Sequence, residues 1–544
     1  MSESALMPRD RGVFVGLSLL LALIWLSTLS VRPLFNPDEG RYAEIPREML
    51  SGGDWVIPHL NGLAYVEKPP LQYWATAICY SLLGVNEFSA RLYCALTALF
   101  TLALVGFAAG RLWDPAAGRR AAAVLSGMLL FVVLGQLLTL DMSLTFYLTV
   151  SLTGFLLAQR ASRPLPWMLL AWAAAGLGVL TKGLVAAAIP AAVLILYSLY
   201  ARDFSPWRRL CARWGLPLFL AITVPWHWLA ARRLEDFLQF FFVHEHLSRY
   251  LTPVSNRQEP WWFFIAVLLA GTLPWTASIV RVMARGWRRA SHGDFNPTLF
   301  LWLWVVFVVV FFSLSDSKLM PYVLPAMPAL ALLIAALPAV TLQKDFLFTA
   351  VATVLAGLAL GLASYHWAWV ISSSDRMVYF LPLAKPLGQI AALLAASGAF
   401  VLVQRRREAT RDAVFLGCGW CLAWLLVVRS AALLAPVYSG AGLAAALPKG
   451  EDAPLYSVGT YDQTLEFYLR RTVTPVAYRG ELDYGLRHSP DAEIASVPEF
   501  VALWAVQPKG FALMGNAVFD NLQGAGVPMR VISRNAGNVL VARQ

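Results

Sequence analysis

The sequence predicts a polytopic α-helical membrane protein with an α/β domain after its last membrane span. The chain is 58% hydrophobic and only 14% charged, which is far from the composition of soluble proteins. Apolar runs close to the roughly 20 residues that a helix needs to cross a bilayer recur from residue 12 to about residue 434. The composition then becomes that of a soluble protein. We therefore expect a transmembrane domain at 1–436 and a soluble domain at 437–544.

The first apolar run, residues 12–31, is expected to remain in the protein as a membrane helix. It is longer than the core of a signal peptide, and no small-x-small cleavage site accompanies it. Arg9 and Arg11 precede the run, which predicts a cytoplasmic N terminus.

Arginines in the short connections between apolar runs account for most of the net charge of +11. Such clusters mark the cytoplasmic loops of membrane proteins, so the charge does not indicate a nucleic-acid-binding protein. The clusters are Arg111, Arg119 and Arg120; Arg160 and Arg163; Arg202, Arg208, Arg209 and Arg213; Arg281, Arg285, Arg288 and Arg289; and Arg405, Arg406, Arg407 and Arg411.

The apolar run at 71–84 is about fourteen residues long, which is short for a membrane span. If it crossed the membrane, every later arginine cluster would face outward. We therefore expect it to lie on the outer surface, like residues 41–50, within a long periplasmic loop at 32–89. About thirteen spans remain, predicted at 12–31, 90–111, 120–138, 141–159, 165–181, 183–200, 212–230, 261–282, 297–313, 319–338, 345–370, 384–403 and 412–434.

Residues 437–544 alternate β-like and helix-like segments, which predicts an α/β domain on the periplasmic side. The segments contain no phosphate-binding loop and no dinucleotide fingerprint. Strands are predicted at 455–460, 473–478, 511–515, 529–534 and 538–542, and helices at 462–471, 498–507 and 517–526.

Ionisable residues near the outer membrane surface are the strongest indication of function, because charges at membrane depth are costly and usually functional. The predicted topology brings four such places to one side: Asp38 with Glu39, Lys68 in 67-EKPP-70, Asp141, and Lys318 in 315-SDSKLMPYVLP-325. Structural alternatives stay open at this point. The two aspartates are also suited to cap helices, and the lysine at 68 is suited to extend from the interface into water.

Five strings in this order resemble the bacterial aminoarabinose transferases (undecaprenyl phosphate-α-4-amino-4-deoxy-L-arabinose arabinosyl transferases) of the GT-C superfamily. The strings are NPDEGRYAEIPREML, GDWVIPHLNGLAYVEKPPLQYW, GVNEFSARL, LTLDMSLTFY and SDSKLMPYVLP. The resemblance covers the membrane half well and the C-terminal domain weakly. It implies a GT-C fold in the bacterial inner membrane and a periplasmic active site. It also implies an inverting transfer of the aminosugar from undecaprenyl phosphate to lipid A phosphates, a modification that gives resistance to polymyxin.

The resemblance also implies roles for the charged residues. Lys68, Arg41 and Lys318 would meet the anionic phosphates. Asp38 and Asp141 would orient the acceptor, the donor sugar or the cations, and would stabilise positive charge at the anomeric carbon. Among the aromatic residues of these segments, Tyr42, Tyr65 and Tyr322 are candidates to contact substrate, and Tyr322 follows Lys318 by four positions, which predicts that both share one helix face.

A catalytic metal is not expected, since residues 1–436 lack the DxD or ExD pattern of nucleotide-sugar glycosyltransferases. His246, with His244 nearby, and Glu67 are expected at most to bind an incidental, non-catalytic zinc ion. Membrane lipids are the other expected partners, and we expect a monomer.

Two alternative functions stay open. A protein O-mannosyltransferase-like enzyme would share the fold and differ in its acceptor. A transporter or flippase for a lipid-linked sugar would also place charges at membrane depth, but it would be expected to carry a central site reached from both sides. Here the charges gather at one surface.

Overall fold

The computed structural model describes residues 8–248, 258–287, 295–371, 377–404, 408–448 and 453–543. Of the predicted cytoplasmic arginines, Arg288, Arg289, Arg405, Arg406 and Arg407 lie outside these residues. The described part is mainly helical and ends in a domain with a β-sheet, which confirms the predicted fold class.

Among the described residues, seven helices are long and apolar enough to cross a membrane. They are Glu87–Leu112, Leu140–Arg160, Leu165–Lys182, Ala212–Arg233, Ala339–Tyr365, Leu381–Val403 and Ala409–Tyr438. Shorter apolar helices accompany them at Phe14–Ser27, Val185–Ala201, Pro297–Ser313 and Met320–Ala335. The total of about thirteen spans stays a prediction.

Two of the predicted spans are divided into shorter helices. Residues 120–138 contain the end of Pro115–Gly127 followed by Leu129–Leu134, and residues 261–282 contain Phe263–Gly271 followed by Thr276–Arg285. Pro274 lies in the second break, and proline has no N–H to continue a helix. The two breaks meet, because the Leu129 N–H donates to the Leu273 carbonyl at 3.3 Å. Backbone groups freed by the breaks thus find partners inside the protein, as an apolar surrounding requires.

The first predicted periplasmic loop contains two helices, Asp38–Gly52 and Leu71–Leu83, with a short hairpin between them. We call Asp38–Gly52 the loop helix. It ends at Gly53, whose φ of 75° is the left-handed conformation that glycine adopts without a steric penalty. The hairpin pairs strands β1 (His59–Leu60) and β2 (Leu63–Ala64) across a turn in which Asn61 and Gly62 both have positive φ.

The C-terminal domain is a five-stranded sheet with helices between its strands. In chain order the strands are β3 (Leu455–Val458), β4 (Thr474–Val476), β5 (Phe511–Gly515), β6 (Met529–Arg534) and β7 (Asn538–Arg543). The spatial order is β4-β3-β5-β7-β6, with β3 parallel to β4 and β5, and β7 antiparallel to β5 and β6. The helices are Gln463–Leu469, Asp483–His488, Val497–Val506 and Asn516–Gly524. All five strands and three of these helices were predicted from the sequence.

The C-terminal domain packs directly against the first loop. One hydrophobic cluster contains Tyr42 and Tyr73 from the loop together with Leu465 and Leu513 from the domain. The loop helix approaches Gln463–Leu469, which we call the interface helix, so closely that a Cβ at residue 40 would lie 2.5 Å from backbone atoms of the interface helix. Glycine at position 40 is therefore required by the packing. The domain thus holds the helix that carries Asp38.

Candidate active site

A cavity of about 480 Å³ lies where the start of the loop helix meets the ends of the helices Leu140–Arg160 and Leu165–Lys182. Its wall combines charged side chains with aromatic and aliphatic ones. The charged residues that line it are Asp38, Arg41, Glu67, Lys68, Asp141, Lys182 and Glu245, and the aromatic ones are Tyr42, Phe242, Phe311, Phe312 and Tyr322. Charges from segments far apart in the sequence therefore share one cavity.

Asp38 and Arg41 lie on one side of the loop helix and form an ion pair with an N–O distance of 2.5 Å. The residue that caps this helix is Pro37, and no side chain makes a capping hydrogen bond there, so the capping alternative for Asp38 is wrong. The Arg41 guanidinium lies 4.9 Å from the ring centre of Tyr42 and 6.0 Å from that of Tyr65. The Asp38 carboxylate is 45% exposed, so it remains accessible within the cavity.

Asp141 lies in the first turn of the helix Leu140–Arg160, and its carboxylate forms an ion pair with Lys182. The cap residue of that helix is Thr139 and makes no side-chain capping bond, so the capping alternative is wrong for Asp141 as well. The Lys182 ammonium also lies 4.8 Å from the ring centre of Tyr322. A cation–π contact and an ion pair therefore hold this lysine at the cavity wall.

Lys68 joins the first loop to the helix Gln239–Ser248. Its ammonium lies 2.7 Å from Oε2 of Glu245 and donates to the Glu67 carbonyl at 2.8 Å. The Lys68 side chain is only 17% exposed, so it does not extend into water as the interfacial alternative requires. Lys68 instead faces a carboxylate that is 4% exposed.

Glu67 and His244, two of the residues considered for a zinc ion, lie close to Lys68 and Glu245. Glu67 accepts a hydrogen bond from the Tyr65 hydroxyl at 3.2 Å. His244 stacks on Phe240 and places Nδ1 3.5 Å from Glu245. The side chain of His246 lies outside the described part of the chain. Zinc binding by Glu67 and the histidines stays a prediction.

Lys318 and Tyr322 differ from the predicted arrangement. The first helical residue after Lys318 is Met320, in a 3₁₀ turn at Met320–Val323, so the two residues do not share a helix face. The 3₁₀ turn carries Tyr322 to the cavity wall, whereas Lys318 is buried beside it. Ser317 and Leu319, on either side of Lys318, do line the cavity. Pro321, the second residue of the turn, cannot supply an N–H donor.

Polar donors in the cavity wall suit an anionic ligand. Nε of Arg41 is buried and has no hydrogen-bond partner among the described residues. Burial raises the pKa of Tyr42 despite the opposing charge of Arg41, so the hydroxyl of Tyr42, which lines the cavity, stays protonated and can donate. Tyr65, by contrast, is buried behind the wall and already donates to Glu67, so it is not among the lining residues of this cavity. Lysines at positions 68 and 182 add two ammonium groups. The wall therefore offers charged and neutral donors within one cavity.

Sequence reasoning missed Lys182 and Glu245. Lys182 stands alone between two predicted spans, on the side that the topology assigns to the periplasm. A lysine there departs from the positive-inside pattern, and that departure was an available signal. For Glu245 no comparable signal exists, because its partner is 177 positions away in the sequence.

Two family models match the chain. The model for "Dolichyl-phosphate-mannose-protein mannosyltransferase" matches residues 13–241, and the model for "Aminoarabinose transferase C-terminal domain" matches residues 444–543. The first match contains every residue named here for the cavity up to Lys182. The second covers the domain that packs on the loop helix.

Individual proteins give closer matches. An undecaprenyl phosphate-α-4-amino-4-deoxy-L-arabinose arabinosyl transferase of Erwinia tasmaniensis is 35% identical over 371 residues, which is 65% of each chain. Its namesake from Pseudomonas aeruginosa is 36% identical over 326 residues, which is 58% of each chain. These alignments therefore span less than two thirds of the relatives' length.

A solved structure matches over nearly the whole chain. The crystal structure of ArnT from Cupriavidus metallidurans bound to undecaprenyl phosphate superposes with a TM-score of 0.90 at 31% identity, covering 99% of both chains. The fold is that of the GT-C class of membrane glycosyltransferases. Within that class, the chain belongs to the family of the aminoarabinose transferases.

Proposed function

We propose that this protein transfers 4-amino-4-deoxy-L-arabinose from undecaprenyl phosphate to a phosphate group of lipid A, at the periplasmic face of the inner membrane. The observation that carries the proposal is the cavity, in which Arg41, Lys68 and Lys182 face Asp38 and Asp141 at the end of the membrane helices. A superposable relative is described as bound to undecaprenyl phosphate, and curated relatives are named for this transfer. The description of the solved structure supports the donor lipid, and the names of the curated relatives support both the donor lipid and the sugar.

The cations of the cavity would stabilise the leaving group, which is the phosphate of the donor lipid. When the bond between the anomeric carbon and the donor phosphate oxygen breaks, the electron pair stays on the phosphate, which gains negative charge. Lys68 is positioned to meet that charge because it lines the cavity, where the Glu245 carboxylate, at 2.7 Å, holds its ammonium in place. Arg41 contributes its unused Nε donor, and Lys182 contributes a second ammonium. Fixed cations of this kind stabilise developing charge without reorganisation.

The carboxylates act on the sugar side of the reaction. A lipid A phosphate is already largely ionised near neutral pH and needs no strong general base. We assign Asp38 to hold the acceptor or the donor's amino group and to stabilise positive charge at the anomeric carbon, since it is the more exposed partner of its ion pair. Asp141 holds Lys182 in place. Direct in-line attack by the acceptor oxygen gives inversion at that carbon.

Aromatic residues complete the proposed substrate site. The Tyr322 ring lies beside Lys182 and lines the cavity, where it can contact the sugar or the phosphate. Leu144, Val185 and Phe311 line the apolar part of the wall and suit the start of a prenyl chain. Lys318, buried next to the wall, is assigned to support this segment electrostatically.

One experiment separates the three candidate functions. The purified protein is incubated with labelled donor lipid and either lipid A or an acceptor peptide. Label on lipid A supports the proposal, and label on the peptide alone supports the mannosyltransferase-like alternative that the match over residues 13–241 suggests. Movement of the intact donor across vesicle membranes without any product would support a transporter.

A further inference from the structure

A second charged cluster lies on the loop helix outside the cavity, where that helix packs on the C-terminal domain. Glu44 and Glu48 are one turn apart on the loop helix, and Glu466 belongs to the interface helix. One carboxylate oxygen from each of the three lies within 4.8 Å of the other two. Glu44 and Glu466 are fully buried. The domain contact therefore concentrates three acids that the proposed reaction does not use.

Partners within the protein account for only part of this charge. Arg47 donates to both oxygens of Glu44, at 2.7 and 2.5 Å, and so neutralises one carboxylate. Glu48 accepts from the Gly62 amide at 3.0 Å, and Glu466 accepts from the Tyr461 hydroxyl at 2.5 Å. Those two donors are neutral. Two carboxylates thus lack a countercharge in these contacts.

Two buried oxygens of the cluster point to a missing ligand. Oε1 of Glu466 and Oε1 of Glu48 are both inaccessible to solvent, and neither has a hydrogen-bond partner among the described residues. A buried acceptor without a partner costs about 1–3 kcal/mol, and more when it is charged. Burial and the nearby charge of Glu44 raise the pKa of Glu48 to about 7. The cluster is therefore unfavourable as three bare carboxylates.

We propose that Glu44, Glu48 and Glu466 bind a calcium-like divalent cation between the loop helix and the C-terminal domain. Carboxylate oxygens are hard ligands, and Ca²⁺–oxygen distances are about 2.3–2.6 Å, so oxygens on opposite sides of one ion lie roughly 4.8 Å apart. The spacing of the cluster satisfies this limit. Second carboxylate oxygens and water that enters with the ion would complete the six to eight ligands that Ca²⁺ takes. Mg²⁺ is smaller and keeps its water more strongly, so it binds more weakly here.

The cation would fasten the helix that carries Asp38 to the C-terminal domain. Gly40 already lies directly against the backbone of the interface helix, and the Thr464 N–H of that helix donates to Oδ1 of Asn36 at 3.0 Å. Two ligands from one helix and one from the other add an ionic crosslink to this contact. The site is structural, and it is distinct from any zinc held by Glu67 at the cavity.

Calcium binding to the full chain in detergent tests the proposal. The protein is stripped with EDTA, dialysed and titrated with Ca²⁺ alone in a calorimeter. We expect one saturable site per chain and an unfolding midpoint that rises with Ca²⁺. Absence of saturable binding to the wild-type protein would overturn the proposal without any variant.

Matched substitutions locate the site. Glu466→Gln and Glu48→Gln keep the side-chain shape and are each expected to weaken Ca²⁺ binding at least tenfold. Glu499→Gln makes the same change at an exposed position of the same domain, and Glu67→Gln makes it at the cavity; both are expected to retain wild-type binding. Unchanged binding in both cluster variants, or loss only in Glu67→Gln, would place the ion elsewhere and contradict the assignment. Elution as a single monodisperse species in size-exclusion chromatography confirms that each variant is folded before it is titrated.

Discussion

Asp38 and Glu39 are adjacent in the sequence and lie in opposite environments. The Asp38 side chain is 45% exposed and pairs with one guanidinium at the cavity. The Glu39 side chain is 4% exposed and pairs with two guanidiniums, those of Arg32 and Arg91. Two neighbouring acids at the start of one helix therefore serve different purposes. One faces the proposed substrate, and the other holds the helix in the protein.

The contacts of Glu39 explain how the cavity is kept in shape. Its Oε1 accepts from Arg91 at 2.8 Å and from the Leu138 amide at 3.1 Å, and its Oε2 accepts from the Phe35 amide at 3.0 Å. These partners come from the helix Glu87–Leu112, from the chain just before Asp141 and from the start of the loop. The charge of Asp38 is therefore available to a substrate because Glu39 fixes the helix beside it.

The largest effect is expected when Glu39 is removed. Glu39→Ala leaves two buried guanidiniums without a counterion, and breaking a buried ion pair in this way typically costs about 3–5 kcal/mol. We expect a strongly lowered unfolding midpoint and a low yield of monodisperse protein. Asp38→Ala, one residue away, is the matched control and should leave the midpoint nearly unchanged. Equal destabilisation by both substitutions would contradict the comparison.

The pH dependence of stability also tests whether the buried carboxylate of Glu39 holds the loop helix in place. Burial opposes ionisation of Glu39, but Arg91 and Arg32 outweigh it and hold the pKa of the carboxyl well below its usual range. A lowered pKa in the folded state stabilises the protein above the unfolded value of about 4.5, and this contribution is lost as the pH falls below it. The unfolding midpoint of the wild-type protein should therefore fall as the pH is lowered from about 5 to about 3. If the drop is as steep in Glu39→Gln, Glu39 is not its source.

The next effect is on turnover rather than stability. Asp38→Ala and Lys68→Ala each remove a charge at the cavity, and loss of one such electrostatic contact typically lowers kcat about 10²–10³-fold. We expect transfer of labelled aminoarabinose to fall by at least that factor while the unfolding midpoint and membrane insertion stay intact. Near wild-type turnover in either variant would remove that residue from the proposed mechanism.

Substitution of Lys182 should lower the rate of transfer less than substitution of Asp38 or Lys68. Lys182→Met keeps the length of the side chain but removes the charge that faces Asp141 and Tyr322. Hydrogen bonds to charged groups contribute about 1.5–3 kcal/mol, which corresponds to a roughly tenfold to hundredfold loss of kcat/KM. The double variant with Asp141→Asn should then lose less than the product of the single losses, because the two residues act as a pair. Strict additivity would indicate independent roles.

Whether a feature of the fold or of the site could be predicted from the sequence depends on how far apart in the sequence the residues in contact are. The short apolar run FALMG predicted the strand at 511–515 correctly, because that pattern is local to the strand. The ion pair between Asp141 and Lys182 joins residues 41 positions apart and depends on how two helices pack. Asp38 and Glu39 are both acids in one turn, so only the docking of the loop helix decides which of them faces the cavity.

The smallest effect is expected from chelation, and it separates the cavity from the proposed calcium site. If fixed cations stabilise the departing phosphate, transfer in excess EDTA should stay within about tenfold of the untreated rate, or roughly 1.4 kcal/mol of transition-state stabilisation. The assay is run well below the unfolding midpoint, because removing a cation from Glu44, Glu48 and Glu466 should lower that midpoint without stopping turnover. Glu466→Gln should lose this EDTA-sensitive stability and keep its rate. A larger drop that Mg²⁺ or Mn²⁺ reverses, in the wild type and in Glu466→Gln alike, would instead place a required metal in the cavity and make Asp38 and Asp141 its ligands.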